Sequence, residues 1–143
     1  MSHYQTLLAA IDCSENSLKV IARARSLAAH GGKLHLVHVI EPLALAYGAD
    51  MPMELGDLQT TLLERARTTV LDYARQNELP EDQVHVELGA IERTIHAKAD
   101  ALGADIIIVG CHTRSGLALL LGSTARGLVP GAKCDVLAVK VDS

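Results

Sequence analysis

Apolar and polar positions along the chain change period repeatedly, and the changes predict strands alternating with helices. Thr6 to Ile11 is a continuous apolar run. It is strand-length and apolar on both faces, as a strand covered on each side of a parallel sheet must be. Asp12 ends it, and Ser14 is placed to cap a helix whose stripe is Leu18, Ile21, Ala22 and Leu27. His30-Gly31-Gly32 stops that helix, and Leu34 to Ile40 forms the second strand. Pro42, Gly48 and Pro52 mark a loop from Glu41 to Pro52. The stretch Leu43 to Met53, with Leu45, Tyr47, Met51 and Met53 and little charge, suits a lid or a partner surface, or equally a segment tucked under the element that follows, which is preferred here. That element is a long helix from about Met53 to Asn77, striped by Leu55, Leu58, Leu62, Ala66, Val70 and Ala74. Val84, Val86 and Leu88 alternate with His85 and Glu87, the pattern of a strand at a sheet edge. Ile91, Ile95, Ala99 and Leu102 mark a third helix closed by Gly103, and Ile106 to Val109 reads as the most buried strand. A glycine-bearing segment, Gly110 to Gly122, leads into a short helix from about Ser123 to Gly131, and Val136 to Val141 is the last strand.

The order is that of an α/β protein: an open five-stranded parallel sheet with helices on both faces, because each crossover is long enough for a helix and right-handed crossovers distribute them so. With 143 residues and no repeat or low-complexity tract, one domain over 1–143 is expected. Ligands of open α/β sheets bind outside the carboxyl ends of the strands. The residues expected there are Asp12, Cys13, Val39, Ile40, Gly110, Cys111, His112 and Thr113.

Composition narrows the functions. Aromatics are 2% with no Trp or Phe, which leaves no stacking platform for single-stranded nucleic acid. A net charge of −4 supplies no basic excess for a phosphate backbone, so no nucleic-acid partner is expected. No apolar run reaches the roughly 20 residues of a membrane span, and the first residues carry no signal-peptide pattern, so the expected location is cytoplasmic. Cys13, Cys111 and Cys134 form no paired motif and read as reduced thiols. Cys13, Cys111 and His112 follow the ends of the first and fourth strands, but the ligand count for a metal is unproven and no metal site is assigned.

The usual nucleotide signatures are missing. The first strand-to-helix turn, Asp12-Cys13-Ser14-Glu15, lacks the glycines of a dinucleotide fold, and Gly116 to Thr124 lacks the lysine of a P-loop. A phosphorylatable Asp after the third strand is absent from Leu88-Gly89-Ala90, which removes a receiver-like reading. Asp12, Ser14 and His112 lack a nucleophile elbow. What remains is Gly110 to Thr124: a strand ending in glycine, a loop, and a Gly-Ser pair opening a helix whose free N–H groups suit an anion. The plainer alternative is that Gly110 ends a strand and Ser123 caps a helix. Asp12 likewise divides between ligand contact and helix entry. His38, mid-strand among apolar residues, reads as a hydrogen-bonded core histidine.

Taken in order, several segments resemble the universal stress protein family over nearly the whole length. They are Leu8 to Ser14, Leu36 to Val39, Ala104 to His112, Arg114 to Leu117, Leu120 to Ser123 and Cys134 to Val139. The resemblance implies the strand order 3-2-1-4-5 and a homodimer through the last strand, Val136 to Val141. Nucleotide-binding members carry Gly-x2-Gly-x9-Gly-[Ser/Thr]. This chain matches at Gly110 and Gly122-Ser123 and departs at Thr113, which replaces the second glycine, and in the eight residues between Thr113 and Gly122, one fewer than the motif has. A β-branched Thr resists φ > 0 and puts a side chain where backbone should meet phosphate. Carried over by position, the resemblance implies ATP or AMP with magnesium. Asp12 would lie against adenine or ribose and Val39 would offer its backbone to adenine. Gly110, Gly122 and Ser123 would line the phosphates beside His112, Thr113 and Thr124, with Arg114 an added cation. The alternative within the same family is a dimeric interaction protein that binds no nucleotide and engages another protein. No side chain stands out as a general base, so an enzyme is not expected and any ATP hydrolysis should be slow.

Overall fold

The structure, a computed structural model, describes residues 4–43, 53–111 and 127–141. In chain order the elements are β1 (Tyr4–Ala10), α1 (Asn16–Leu27), β2 (Ala28–Ile40), α2 (Met53–Gln76), β3 (Val84–Leu88), α3 (Ile91–Leu102), β4 (Ile106–Cys111) and β5 (Asp135–Lys140). All four strand pairings are parallel, and the order is β3-β2-β1-β4-β5, as the resemblance implied.

The continuous apolar runs have the predicted cause. Alternate residues of β1 enter separate cores: Leu7 and Ala9 join α1 and α2 on one face, and Leu8 and Ala10 join α3 on the other. The first core takes Val20, Ile21 and Ala24 from α1 and Val70, Tyr73 and Ala74 from α2; the second takes Ile95 and Ala99 from α3 and Leu128.

Several boundaries differ from the sequence reading. The residue before α1 is Glu15, with no side-chain cap; Ser14 turns its hydroxyl to Asp12 instead. Helix α1 stops at Leu27 rather than at the glycines, because Ala28 is already paired with Tyr4 of β1. The long helix is buried only in its second half: Leu58 and Leu62 are 44% and 37% exposed, whereas Ala66, Val70 and Ala74 are buried. Gly110 lies inside β4 rather than beyond it. Most of the 41–52 loop and of the 112–131 segment lies outside the described residues.

At the amino ends of the strands Asp105 holds the sheet together. Its carboxylate accepts the amides of Gln5 (2.6 Å) and Thr6 (3.2 Å), its own amide donates to Thr6 O, and Tyr4 Oη donates to Asp135 (2.7 Å).

Candidate functional site

The chain leaves β1 toward β2 on one side and enters β4 on the other, so their carboxyl ends diverge and open a crevice. A cleft of about 330 Å³ lies there, lined among others by Asp12, Ser17, His38, Val39, Gly110 and Val141. That volume falls at the lower end of small-ligand sites, which run from roughly 300 to 1,000 Å³.

Asp12 stands at the mouth, in the turn between β1 and α1. Its Oδ1 accepts the Ser14 amide (2.9 Å), the Ser14 hydroxyl (2.5 Å) and the Ser17 hydroxyl (3.0 Å). Ser17, fully buried on the first turn of α1, also reaches the Asp12 carbonyl at 2.6 Å. Partial burial pushes the Asp12 carboxyl up, but the hydrogen bonds from Ser14 and Ser17, together with the nearby His38, outweigh it and leave the group below its ordinary value. Asp12 is therefore an ionised acceptor held in a fixed pose, serving the turn and facing the cleft at once.

Val39 follows from strand parity. The carbonyl of Val37 accepts the Ile11 amide, so it points toward β1. Two residues on, Val39 has the same orientation, but its level lies past Ala10, the last residue of β1. Its backbone groups thus face the crevice, where a planar donor–acceptor ring edge could meet them.

Gly110 also lines the cleft. A Cβ there would come within 3.2 Å of Val20 and 3.3 Å of Val141, so a larger side chain would crowd the space between α1 and the end of β5. His38 is hydrogen-bonded as expected: its Nδ1 lies 2.8 Å from the Ile11 carbonyl and so carries the proton. It is half-buried on the cleft wall, however, and not in the core.

Of the residues singled out from sequence, Asp12, Val39 and Gly110 are brought together. His112, Thr113, Arg114, Gly122, Ser123 and Thr124 lie outside the described residues. Sequence reading missed Asn16, Ser17 and Val141, all of which line the cleft. The serine could have been found, since a small polar residue three positions past a turn is suited to bonding back to it. Among the described lining residues Asp12 is the one acid, and no Lys or Arg lines the cleft. The described wall thus presents one carboxylate, hydroxyl and amide groups and apolar side chains.

Of the Cys13, Cys111 and His112 grouping, the two cysteines lie within the described residues. Burial and the adjacent Asp12 push the exposed Cys13 thiol up, away from the reactive thiolate, and Cys111 is buried. Among the described residues no group of three or more His, Cys, Asp or Glu side chains is gathered to hold a metal.

A sequence profile of the universal stress protein family matches residues 3–140. Universal stress protein A homolog 1 of Coxiella burnetii is 37% identical over 139 residues, covering 96% of each chain. Homolog 2 of the same organism is 38% identical over 144 residues, covering 99% of this chain and 98% of that one. Among solved structures, a universal stress protein in complex with cAMP aligns over 99% of this chain and 100% of its own, with 25% identity and a TM-score of 0.62. A universal stress protein from Lactobacillus plantarum, 19% identical, shares the fold with a TM-score of 0.73 over 97% of this chain and 99% of its own.

Proposed function

The chain belongs to the universal stress protein family, and from that premise we propose that it binds an adenine nucleotide, ATP or AMP, in the cleft between the ends of β1 and β4. The observation that carries this reading is the pairing of an ionised, pre-oriented Asp12 with the cleft-facing backbone of Val39, beside Gly110 in the same cleft. A carboxylate suits ribose hydroxyls, and backbone groups suit the edge of a base. The cAMP complex of a relative points to the same ligand class. The phosphates are proposed to lie toward the loop beyond β4, away from the Asp12 carboxylate. There Gly122 and Ser123 would supply backbone N–H groups, and Arg114 charge, beside His112, Thr113 and Thr124. Magnesium would arrive with the nucleotide, held mainly by phosphate oxygens.

The reading makes the protein a binder whose state reports nucleotide, with hydrolysis at most slow. It is further proposed to work in the cytoplasm as a homodimer. Among the described residues no helix is long and apolar enough to cross a membrane.

Two measurements on purified protein test the binding. Heat extraction should release adenine nucleotide, and magnesium-ATP should raise the melting temperature, because a ligand at about 100 times its Kd adds about 2.7 kcal/mol to the native state. Neither a retained nucleotide nor a shift would leave the second reading, a dimeric interaction protein without nucleotide. Thr113 and the shortened loop favour that reading from the sequence.

A further inference from the structure

Tyr73 is a polar aromatic in the buried half of α2, only 8% exposed, and it does not line the cleft. Its ring packs in the core shared by α1 and α2. Its hydroxyl lies 3.0 Å from the Cys13 carbonyl and 3.0 Å from the Ser14 carbonyl. Both acceptors belong to the turn that carries Asp12. We infer that Tyr73 is a positioning residue for the ligand cleft: a donor on a rigid helix fixes the β1–α1 turn and, through it, the pose of the Asp12 carboxylate. The ligand consequence rests on the adenine-nucleotide reading, whereas the effect on the turn does not.

Tyr73 anchors the turn from outside its neighbours in the chain. A carbonyl only accepts, so the phenol is the donor, shared between two carbonyls. Cys13, Ser14 and Glu15 are exposed and bring no apolar side chain to hold the turn down. The hydrogen bonds at Asp12 come from within the turn itself or from the start of α1. They fix the carboxylate relative to the turn, not the turn relative to the sheet. Tyr73 supplies a link from a third element, 60 residues distant from Cys13 in the chain. The ring provides the stiffness: with two χ angles and a packed face, it holds its hydroxyl at little entropic cost.

Tyr73→Phe keeps the packing and removes the donor; both carbonyls belong to exposed residues of the turn, and that of Ser14 keeps the Ser17 amide as a donor. The variant should fold; Tyr73→Leu, which removes the same donor with a different shape, serves if it does not. The first readout needs no ligand: the Asp12 side-chain carbon is followed by NMR through an acid titration. The Cys13 carbonyl and the Ser14 amide share one peptide plane, so releasing the carbonyl frees that plane to rotate and weakens the Ser14 amide's bond to Asp12; the Asp12 midpoint should therefore rise in the variant. The second readout is affinity for magnesium-ATP, expected to fall roughly threefold to tenfold, the range of one lost hydrogen bond. An Asp12 midpoint unchanged in both variants overturns the inference. Wild-type protein that binds no adenine nucleotide overturns the functional reading instead, and the Asp12 titration then decides the role of Tyr73 alone.

Discussion

His35 and His85 meet where β2 runs beside β3, with His35 Nδ1 3.0 Å from His85 Nε2. The ring planes are 29° apart and the centroids 5.2 Å apart, about the separation of two rings joined nearly in line through their nitrogens. One ring donates and the other accepts, so the pair holds when either both are neutral or one is charged, and fails when both are charged. Burial lowers the basicity of both rings, with Lys98 adding to the effect at each and Lys33 at His35, against the opposing pull of Asp82 and Glu87. Because both groups bind protons less readily folded than unfolded, the unfolded chain takes up more protons as pH falls below about 6.5. Stability present above that pH should therefore be lost on acidification. Urea midpoints at pH 7.5 and 5.5 should show this fall in the wild type, and the variant His35→Gln with His85→Gln should show a smaller one. An equal fall in both would remove the pair from the account. Fifty residues of chain separate these rings, so alternation marked His85 as outward-facing on its strand without revealing its partner.

Two helices end in the same way with different residues. After α3, Gly103 takes φ +68° while its amide reaches Asp100 O and the Ala104 amide reaches Ala99 O. After α2, Glu78 takes φ +58° with matching bonds to Arg75 O and, from Leu79, to Ala74 O. The motif asks for a left-handed residue, which glycine enters without steric cost and glutamate does not. Glu78→Gly should raise unfolding stability by about 0.5–1 kcal/mol, read from denaturant midpoints, since relief of the left-handed strain exceeds the added freedom of the unfolded chain. A loss of stability would contradict it. The pair also shows what punctuation reveals. Gly103 marked its helix end from sequence, and Pro80 marked the other, but nothing in Glu78 signals a left-handed turn. Periodicity likewise exposed the apolar face of α2 without showing how far its cover extends, which is why Leu58 and Leu62 read as buried and are not.

Across the molecule, β5 pairs on one side with β4 and leaves its other side as an edge of the sheet. Asp135 and Val141 both send their amides inward, to Asp105 and Cys111, so the odd positions between them face β4 and the amides of Val136, Ala138 and Lys140 face out. If two copies pair through this edge, Ala138→Pro removes an outward donor while sparing the β4 ladder, and sedimentation should report monomers. An unchanged dimer would place the interface elsewhere. The architecture was legible because five apolar runs and their crossovers leave few arrangements, and the family resemblance selected one. The site was half legible. Asp12, Val39 and Gly110 lie at or next to strand ends and could be named from order alone, whereas Ser17 reaches Asp12, and Tyr73 the turn that carries it, from helices whose packing a sequence does not display. The clamp around Asp105 gives this layout its mechanical character. With Gln5, Thr6 and Asp135 tied together at the amino ends, the sheet resembles a fan riveted at its base. A guest at the opposite rim therefore meets three ribs, β1, β4 and β5, whose spacing is already set at the far end of the sheet.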